Sequence, residues 1–595
     1  MFQTFEATTS PDQGPPRLSN LRKHIADKGL DGFLIPRADA HQGEYVAPRD
    51  ARLAWLTGFT GSAGFCAALT HIAGVFVDGR YRLQVRDQVA DDFTPVDWPE
   101  VQLEDWLKEQ LPNGGKVGFD PWLHTVSAIR QLTKALVDSG IELVPTDNLV
   151  DAIWSDQPEP PKAKFTAYPV EFAGETRQSK SKRLAETISA PTVLTLPDSI
   201  AWLLNIRGTD IERNPVPHAF AILNTDGHVD LFAQDGKTAE VANHLGEDVR
   251  IHPQDSFLNH ISNLTGDINL DPKWCPAIVA TTAAKAGLTI RHKDDPCLLP
   301  KACKNDTEIA GAKEAHLRDG AAMVRFLAWL DADAPNGSLT EIDVVKQLEQ
   351  FRRETNQLLD VSFETICGAG GNGAIVHYRV TEETNRPVKR DELLLIDSGG
   401  QYIDGTTDIT RTVIVGTPSE LHRSCFTRVL QGMIAISRAR FPKGVQGQHL
   451  DSLARFPLWT AGMDYDHGTG HGIGSYLCVH EGPQSLSRRG DVPLKEGMIL
   501  SNEPGYYRTG EFGIRIENLI VTGPAPDIEG GDDRDMLSFE TITYVPIDRR
   551  LIDVALLSND ERDWINGYHA ETMAKIGPLI DGPAKEWLEQ ACAPL

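Results

Sequence analysis

The 595-residue chain contains no apolar run approaching the ~18–20 residues a helix needs to span a bilayer, which excludes a membrane-spanning helix. Its first residues, Met1-Phe-Gln-Thr-Phe-Glu6, lack both the basic and the apolar region of a secretory leader, so the expected location is the cytoplasm. Positive charge is scarce: 58 Lys and Arg stand against 84 Asp and Glu, a net charge of −26. That deficit excludes sequence-independent nucleic-acid binding, in which Lys and Arg must neutralise phosphates. An acidic surface suits a substrate with a free ammonium terminus, although solubility alone accounts for it. The eight cysteines (Cys66, Cys275, Cys297, Cys303, Cys367, Cys425, Cys478, Cys592) show no repeated CxxC spacing. They fit reduced cytosolic thiols, and neither a disulfide framework nor a zinc cluster. No segment is of low complexity and no repeat of solenoid period is present.

What the sequence does contain is globular: 41% apolar and 24% charged residues. The length is too great for a single core, so three or so domains are expected. A first section, residues 1–160, closes in Gln157-Pro-Glu-Pro-Pro-Lys162, which no helix or central strand accommodates. It mixes strand-like runs such as Ala73–Val77 with a helical stretch around Val101–Leu111. A second mixed section, 161–303, ends near Asp295-Pro-Cys-Leu-Leu-Pro300. Ala54-Trp-Leu-Thr-Gly58 in the first and Ala201-Trp-Leu-Leu-Asn205 in the second both lead into a turn and an apolar strand, a short echo that hints at duplication. The third section, 304–537, opens on a capping box of Asn305 and Glu308. Ile309, Ala312, Met323, Leu327 and Leu330 then recur at helical spacing. A second helix is expected from Ser419 to about Arg440, between Pro418 and Pro442. Leu393–Ile396, Thr412–Val415, Met498–Ser501 and Ile514–Val521 read as strands. Residues 538–595 form a C-terminal extension.

Four pieces of the third section carry chemistry. Leu393-Leu-Leu-Ile-Asp-Ser-Gly-Gly400 ends an apolar strand on Asp397, and Asp408 follows in Gly405-Thr-Thr-Asp-Ile-Thr-Arg411. The glycines let the chain fold back and bring the two carboxylates together; taken alone, such aspartates are ordinary turn and cap residues. Asp466-His-Gly-Thr-Gly-His-Gly-Ile-Gly474 and Val479-His-Glu-Gly-Pro483 place His467, His471 and His480 among glycines that permit close approach, though a surface loop would explain them too. Met498-Ile-Leu-Ser-Asn-Glu-Pro-Gly505 ends a strand on Glu503. In Gly513-Ile-Arg-Ile-Glu-Asn518, alternation sets Ile514 and Ile516 on one face and Arg515 and Glu517 on the other, as an edge ion pair would. Together Asp397, Asp408, His471, Glu503 and Glu517 make four carboxylates and an imidazole, each at a strand end or glycine-rich turn. Buried together, the acids repel unless cations neutralise them. Such an oxygen-rich set with one nitrogen suits two ions of manganese, cobalt(II), iron(II) or zinc.

This ordered set resembles the ligand set of the pita-bread dinuclear metallopeptidases, which include methionine aminopeptidase, prolidase and aminopeptidase P. The finer resemblance is to the long, three-domain cytosolic form of aminopeptidase P. It is carried by His377-Tyr378, His467-Gly-Thr-Gly-His471, Val479-His-Glu-Gly-Pro483 and Asn502-Glu-Pro-Gly-Tyr-Tyr507. It extends to Glu44-Tyr-Val-Ala-Pro48, Asp78-Gly-Arg80, Ile200–Gly208 and Asn214-Pro-Val216, and to the tail from Ser538 through Asp563–Tyr568. The fold it implies is α/β (α+β): a pita-bread catalytic domain preceded by two related creatinase-like domains.

By the same resemblance Asp408 and Glu517 bridge two divalent metals, manganese foremost; Asp397 chelates one, and His471 and Glu503 bind the other. Glu503 also accepts the proton of the attacking water, while His377, His467 and His480 contact substrate, stabilise the tetrahedral intermediate or shuttle protons. The implied reaction is hydrolysis of the N-terminal Xaa-Pro bond of short peptides by metal-activated hydroxide, in a homodimer. Arg515 is expected, from its position, to steady Glu517.

A strict Xaa-Pro dipeptidase (prolidase) and a non-catalytic peptide-binding protein on the same fold are the alternatives. A creatinase-like amidinohydrolase shares the architecture but not this metal set. Gly368-Ala-Gly-Gly-Asn-Gly373 lacks the Lys-Ser/Thr of a phosphate loop and is expected to shape the backbone near His377. Ser475 and Cys478 invite a nucleophile reading that the metal set makes unnecessary.

Overall fold

The two echoing segments each end a short helix in a left-handed residue. Helix Arg52–Thr57 closes on Gly58 at φ 91°, and helix Pro197–Leu204 closes on Asn205 at φ 47°. Glycine and asparagine are the residues that take this conformation at least cost, and it lets the chain leave the helix at a sharp angle.

The computed structural model describes residues 1–595 and divides into two compact units, Thr8–Leu298 and Leu299–Leu595 with Met1–Ala7. The N-terminal unit holds two six-stranded mixed sheets. In chain order the first comprises Gly32–Pro36, Phe65–Leu69, Ala73–Val77, Thr94–Asp97, Gly115–Phe119 and Ile141–Pro145. The second comprises Thr192–Leu194, Phe220–Leu223, Val229–Ala233, Val249–Pro253, Asp267–Leu270 and Thr289–His292. With the strands of each sheet numbered from one, both run in the spatial order 4-3-2-1-5-6. In both, pairs 1–2 and 2–3 are antiparallel, whereas 3–4, 1–5 and 5–6 are parallel. The helix of the echo sits between strands 1 and 2 in each copy. Duplication, a hint in the sequence, is explicit in the topology.

The C-terminal unit repeats a different plan. Helices Asp306–Asp333 and Glu341–Arg353 precede an antiparallel sheet of Ile366–Ala369, Glu392–Ser398 and Ile409–Val415. Helices Glu420–Ser437 and Gly447–Trp459 then precede a six-stranded sheet in which Gly470–Gly472, Ile499–Asn502 and Asn518–Pro524 lie side by side. The capping box of Asn305 and Glu308 forms as expected, and Ser419 caps the second long helix, which stops at Ser437. The run expected as one strand, Ile514–Val521, is two: Phe512–Arg515 pairs with Gly505–Arg508, and Asn518–Pro524 pairs with Ile499–Asn502. Each half has its own partner, so the chain must turn at Ile516-Glu517.

The extension Asn559–Ile576 and Gly582–Ala591 belongs to this unit. The fully buried Arg411 ties it down, donating to the carbonyls of Val545 and Pro546 and to the Tyr568 hydroxyl. Met1–Ala7 joins here too: the Phe2 N–H donates to Glu349 at 2.9 Å, and Phe5 is buried in the cluster of Phe326, Leu348 and Leu394.

A Cβ at Gly58 would meet the Gln88 carbonyl oxygen at 2.4 Å. Gly58→Ala is therefore expected to destabilise the N-terminal unit by roughly 1–3 kcal/mol, read as a lowered midpoint in urea unfolding.

Candidate metal centre

The two halves of the C-terminal unit present acids in the same way. In the first, Asp397 lies near the end of strand Glu392–Ser398, opposite Thr410, and Asp408 immediately precedes strand Ile409–Val415. In the second, Glu503 immediately follows strand Ile499–Asn502 and Glu517 immediately precedes strand Asn518–Pro524. Each pair thus leaves one strand and enters its antiparallel neighbour, which puts both carboxylates at the same edge of a sheet.

A buried ion pair fixes each half. Arg352 and Asp319, neither exposed at all, come from the two helices of the first half and pair at 2.7 Å. Arg352 also donates to the Ser398 and Gly399 carbonyls, while the hydroxyls of Tyr402 and Thr407 donate to Asp319 at 2.9 and 2.7 Å. The turn between Asp397 and Asp408 is thereby held from below. It has no room to relax, since a Cβ on Gly399 would stand 1.9 Å from the Thr407 carbonyl oxygen. In the second half Asp451 and Arg455, one helical turn apart, pair at 2.7 Å. Arg455 donates to the carbonyls of Tyr465 and His467, and Thr469 donates to Asp451 at 2.6 Å, which sets the His467–His471 loop.

These supports bring one oxygen or nitrogen each of Asp408, His471 and Glu517 within 4.8 Å of one another. His471 Nε2 stands 3.6 Å from Asp408 and 3.3 Å from Glu503. Its Nδ1 lies 2.9 Å from the Gly472 carbonyl, so Nδ1 carries the hydrogen and Nε2 faces the acids with its lone pair or a second proton. Ser501 donates to Glu503 at 3.0 Å while accepting the His471 N–H at 2.9 Å. Thr410 donates to one oxygen of Glu517 at 2.7 Å. The other, like Asp397 Oδ1, is buried with no protein partner.

The electrostatics are those of a crowded anionic pocket. Burial, then repulsion from Glu517, Asp397 and Glu503, holds Asp408 well above the ordinary carboxylate range. Burial, then Glu503 and Asp397, does the same to Glu517. Burial also opposes the charge on Glu503, but the hydrogen bond and charge of His471 prevail and carry it down to about 2. The same pairing overcomes burial at His471 and raises it to about 9. Four carboxylates thus converge, with the Arg515 guanidinium paired to Asp397. Two of their oxygens are buried without partners, and divalent cations fit this donor set.

Arg515 departs from expectation. Its guanidinium lies on Asp397 at 2.5 Å and 4.0 Å from Glu503, while Glu517 takes Thr410 instead. The turn at Ile516-Glu517 separates the two residues and lets Arg515 reach the first half's strand. Arg515 also donates to the Tyr507 hydroxyl at 2.5 Å, and that hydroxyl lies 2.9 Å from His467 Nε2. With His467 Nδ1 2.7 Å from the Gly468 carbonyl, Tyr507 is the donor to Nε2. Burial lowers His467 to about 4.

His480 packs edge-on against His471, ring centroids 4.3 Å apart. His377 is half-buried and follows Val376, whose carbonyl accepts from Arg515 at 3.4 Å. Its neighbour Tyr378 donates to buried Glu341, which also takes the Ala369 N–H and the Asn372 amide. The glycine-rich Gly370–Ala374 forms a 3₁₀ turn packed on Gly513, a backbone role as expected. The supporting residues Asp319, Arg352, Asp451, Arg455 and Glu341 escaped sequence reading, and Tyr507 entered it as part of a motif without a role. Only Asp451 and Arg455 left a signal there, the spacing of an i,i+4 helix pair.

Comparison with known proteins agrees with this geometry. Residues 310–524 match the model of metallopeptidase family M24, and 535–595 match the C-terminal region of peptidase M24. Residues 17–153 and 156–308 each match a creatinase/prolidase N-terminal domain. Aminopeptidase P2 of Arabidopsis thaliana is 40% identical, covering 97% of this chain and 88% of its own length. A probable Xaa-Pro aminopeptidase P of Laccaria bicolor is 39% identical over 97% of this chain and 93% of its own. Among solved structures, an X-prolyl aminopeptidase of Caenorhabditis elegans, a cytosolic enzyme with a di-nuclear active site, superimposes with a TM-score of 0.92. It is 33% identical and covers 98% of this chain and 99% of its own.

Asp319→Asn keeps the shape of the support but leaves Arg352 buried without a counter-charge. The expected cost is about 3–5 kcal/mol of stability in urea unfolding, together with reduced metal content in the purified protein.

Proposed function

The chain belongs to metallopeptidase family M24, and from that membership we propose that it removes the first residue of peptides whose second residue is proline. The observation that carries the reading is the convergence of Asp408, His471 and Glu517, with Asp397 and Glu503 beside them, at facing sheet edges. We assign Asp397, Asp408, His471, Glu503 and Glu517 as ligands of two divalent ions, with manganese the preferred metal. When bound, the pair supplies an acidified water and a Lewis acid for the scissile carbonyl.

The chain's own residues do the rest. His471 keeps Nε2 on the metal side because Gly472 holds Nδ1. Glu503, which accepts a hydrogen bond from Ser501, is the base that accepts the proton of the attacking water. Arg515 offsets the charge of Asp397 and orients Tyr507 toward His467. Burial keeps His467 neutral, so it acts through a hydrogen bond rather than a charge. His480, against His471, stabilises the developing oxyanion, and His377 lines the substrate side. Proline at the second position supplies no N–H, so the site selects on the shape of the ring.

The sections 1–160, 161–303, 304–537 and 538–595 are proposed as two creatinase-like domains, the catalytic domain and its extension, in a cytoplasmic protein. The homodimer has a surface available. Leu453, Phe456 and Trp459 form an apolar stripe on helix Gly447–Trp459, and Phe456 is 64% exposed. Phe456→Glu is expected to shift the protein from dimer to monomer in sedimentation-velocity runs; an unchanged dimer places the interface elsewhere.

The reaction is tested with Arg-Pro-Pro and Arg-Ala-Ala, with manganese and with chelator. Free arginine is expected from the first peptide alone, abolished by chelator and by Asp408→Ala, whose metal content should fall. Cleavage of Arg-Pro but not Arg-Pro-Pro would instead indicate a dipeptidase, and no cleavage with any divalent metal a binding protein.

A further inference from the structure

Glu481 directly follows His480 in sequence and is fully buried, and two equally buried lysines converge on it. Lys301 Nζ lies 2.8 Å from one carboxylate oxygen, and Lys304 pairs closely with the other. The lysine side chains are 1% exposed and that of Glu481 is 0% exposed. Lys304 Nζ also donates to the Lys301 carbonyl at 2.7 Å, which closes the cluster.

The base of this cluster is rigid. The Lys304 N–H donates to the Gly497 carbonyl at 3.0 Å, and Cys303 bridges to Met498 at the entry to strand Ile499–Asn502, which ends next to Glu503. Glu481 stands opposite Gly472 in the sheet, and Gly472 directly follows His471. The anchored residue is thus next to His480 in sequence and paired with the neighbour of His471, and the two histidine rings meet at 4.3 Å. The lysines follow immediately on the junction at Leu298–Leu299, so the peptide that enters the catalytic unit supplies the anchor.

Each lysine holds its own oxygen of the Glu481 carboxylate. What the second lysine adds is geometric: with each carboxylate oxygen held separately, the carboxylate can neither rotate nor swing. We propose that Lys301 and Lys304 are positioning residues that act through Glu481 to fix the His480 ring against His471. This rests on the role assigned to His480 above.

Lys304→Met leaves the Lys301–Glu481 pair in place and is expected to fold, whereas Glu481→Gln removes the anion that both buried lysines share and is expected to unfold readily. Lys304→Met should retain the metal content and KM of the parent while kcat on Arg-Pro-Pro falls by about 10- to 100-fold, the scale of a small misplacement of a reacting group. The deciding measurement is a double-mutant cycle with His480→Ala. If Lys304 acts through His480, the Lys304→Met effect on kcat vanishes in the His480→Ala background. If the full loss persists there, or if Lys304→Met changes only the unfolding midpoint, the lysines serve stability and the proposal is overturned. An unchanged kcat in His480→Ala alone would instead overturn the role of His480.

Discussion

Four carboxylates forced into one buried space are the constraint on which the catalytic unit depends. Left to themselves they would separate, protonate or draw in water, and each outcome would loosen the fold around them. Burial and mutual repulsion already hold Asp408 and Glu517 well above the ordinary range, so as protein alone the site is under electrostatic strain. The strain marks the site as one built for cations. It also explains why so much of the surrounding structure is rigid: carboxylates that repel one another stay together only if the backbone gives them no alternative.

That rigidity comes from buried charge rather than from apolar packing alone. The Asp319–Arg352 pair holds the turn between the two aspartates, and the Asp451–Arg455 pair holds the histidine loop. Glu341 collects the backbone and side chains around His377. In each case a helix supplies the charged residue, and backbone carbonyls, N–H groups or hydroxyls on the active-site loop satisfy it. A hydrophobic contact could bury the same area, but it would not fix the direction of a carbonyl or hydroxyl. Ionic and hydrogen-bonded supports do.

The sequence made the proposed ligands conspicuous and concealed these supports, for a physical reason. Asp397, Asp408, His471, Glu503 and Glu517 sit at strand ends or among glycines, where the local pattern makes a polar residue stand out. Arg352 and Asp319 lie within helices, where charged residues are ordinary, and only the tertiary contact shows that both are fully buried. The fold was legible to a similar depth. Capping boxes and apolar strands announced most elements, and a five-residue echo hinted at the duplicated sheets. The break at Ile516-Glu517 was read over because the alternation of Gly513–Glu517 was carried past Asn518, where it fails; the change of strand partner divides the run. Arg515 was assigned to the wrong acid for the same reason: strand alternation sets which face a side chain takes, not how far across the sheet it reaches.

Arg515 is also where the two halves of the catalytic unit stop being equivalent. Both place an acid at the end of one strand and another at the start of its neighbour, so the backbone alone would build a near-symmetric pocket. The asymmetry is in the partners. Asp397 is neutralised by a permanent guanidinium, whereas Glu503 leans on His471, an imidazole that can give up its proton. Asp397 is therefore offset by a permanent charge, whereas Glu503 has only an imidazole against it. The acid without a full counter-charge is the one proposed to take a proton, and a pocket with a guanidinium on both sides would offer no such base. The duplicated architecture brings the acids together; the unequal partners give them separate tasks.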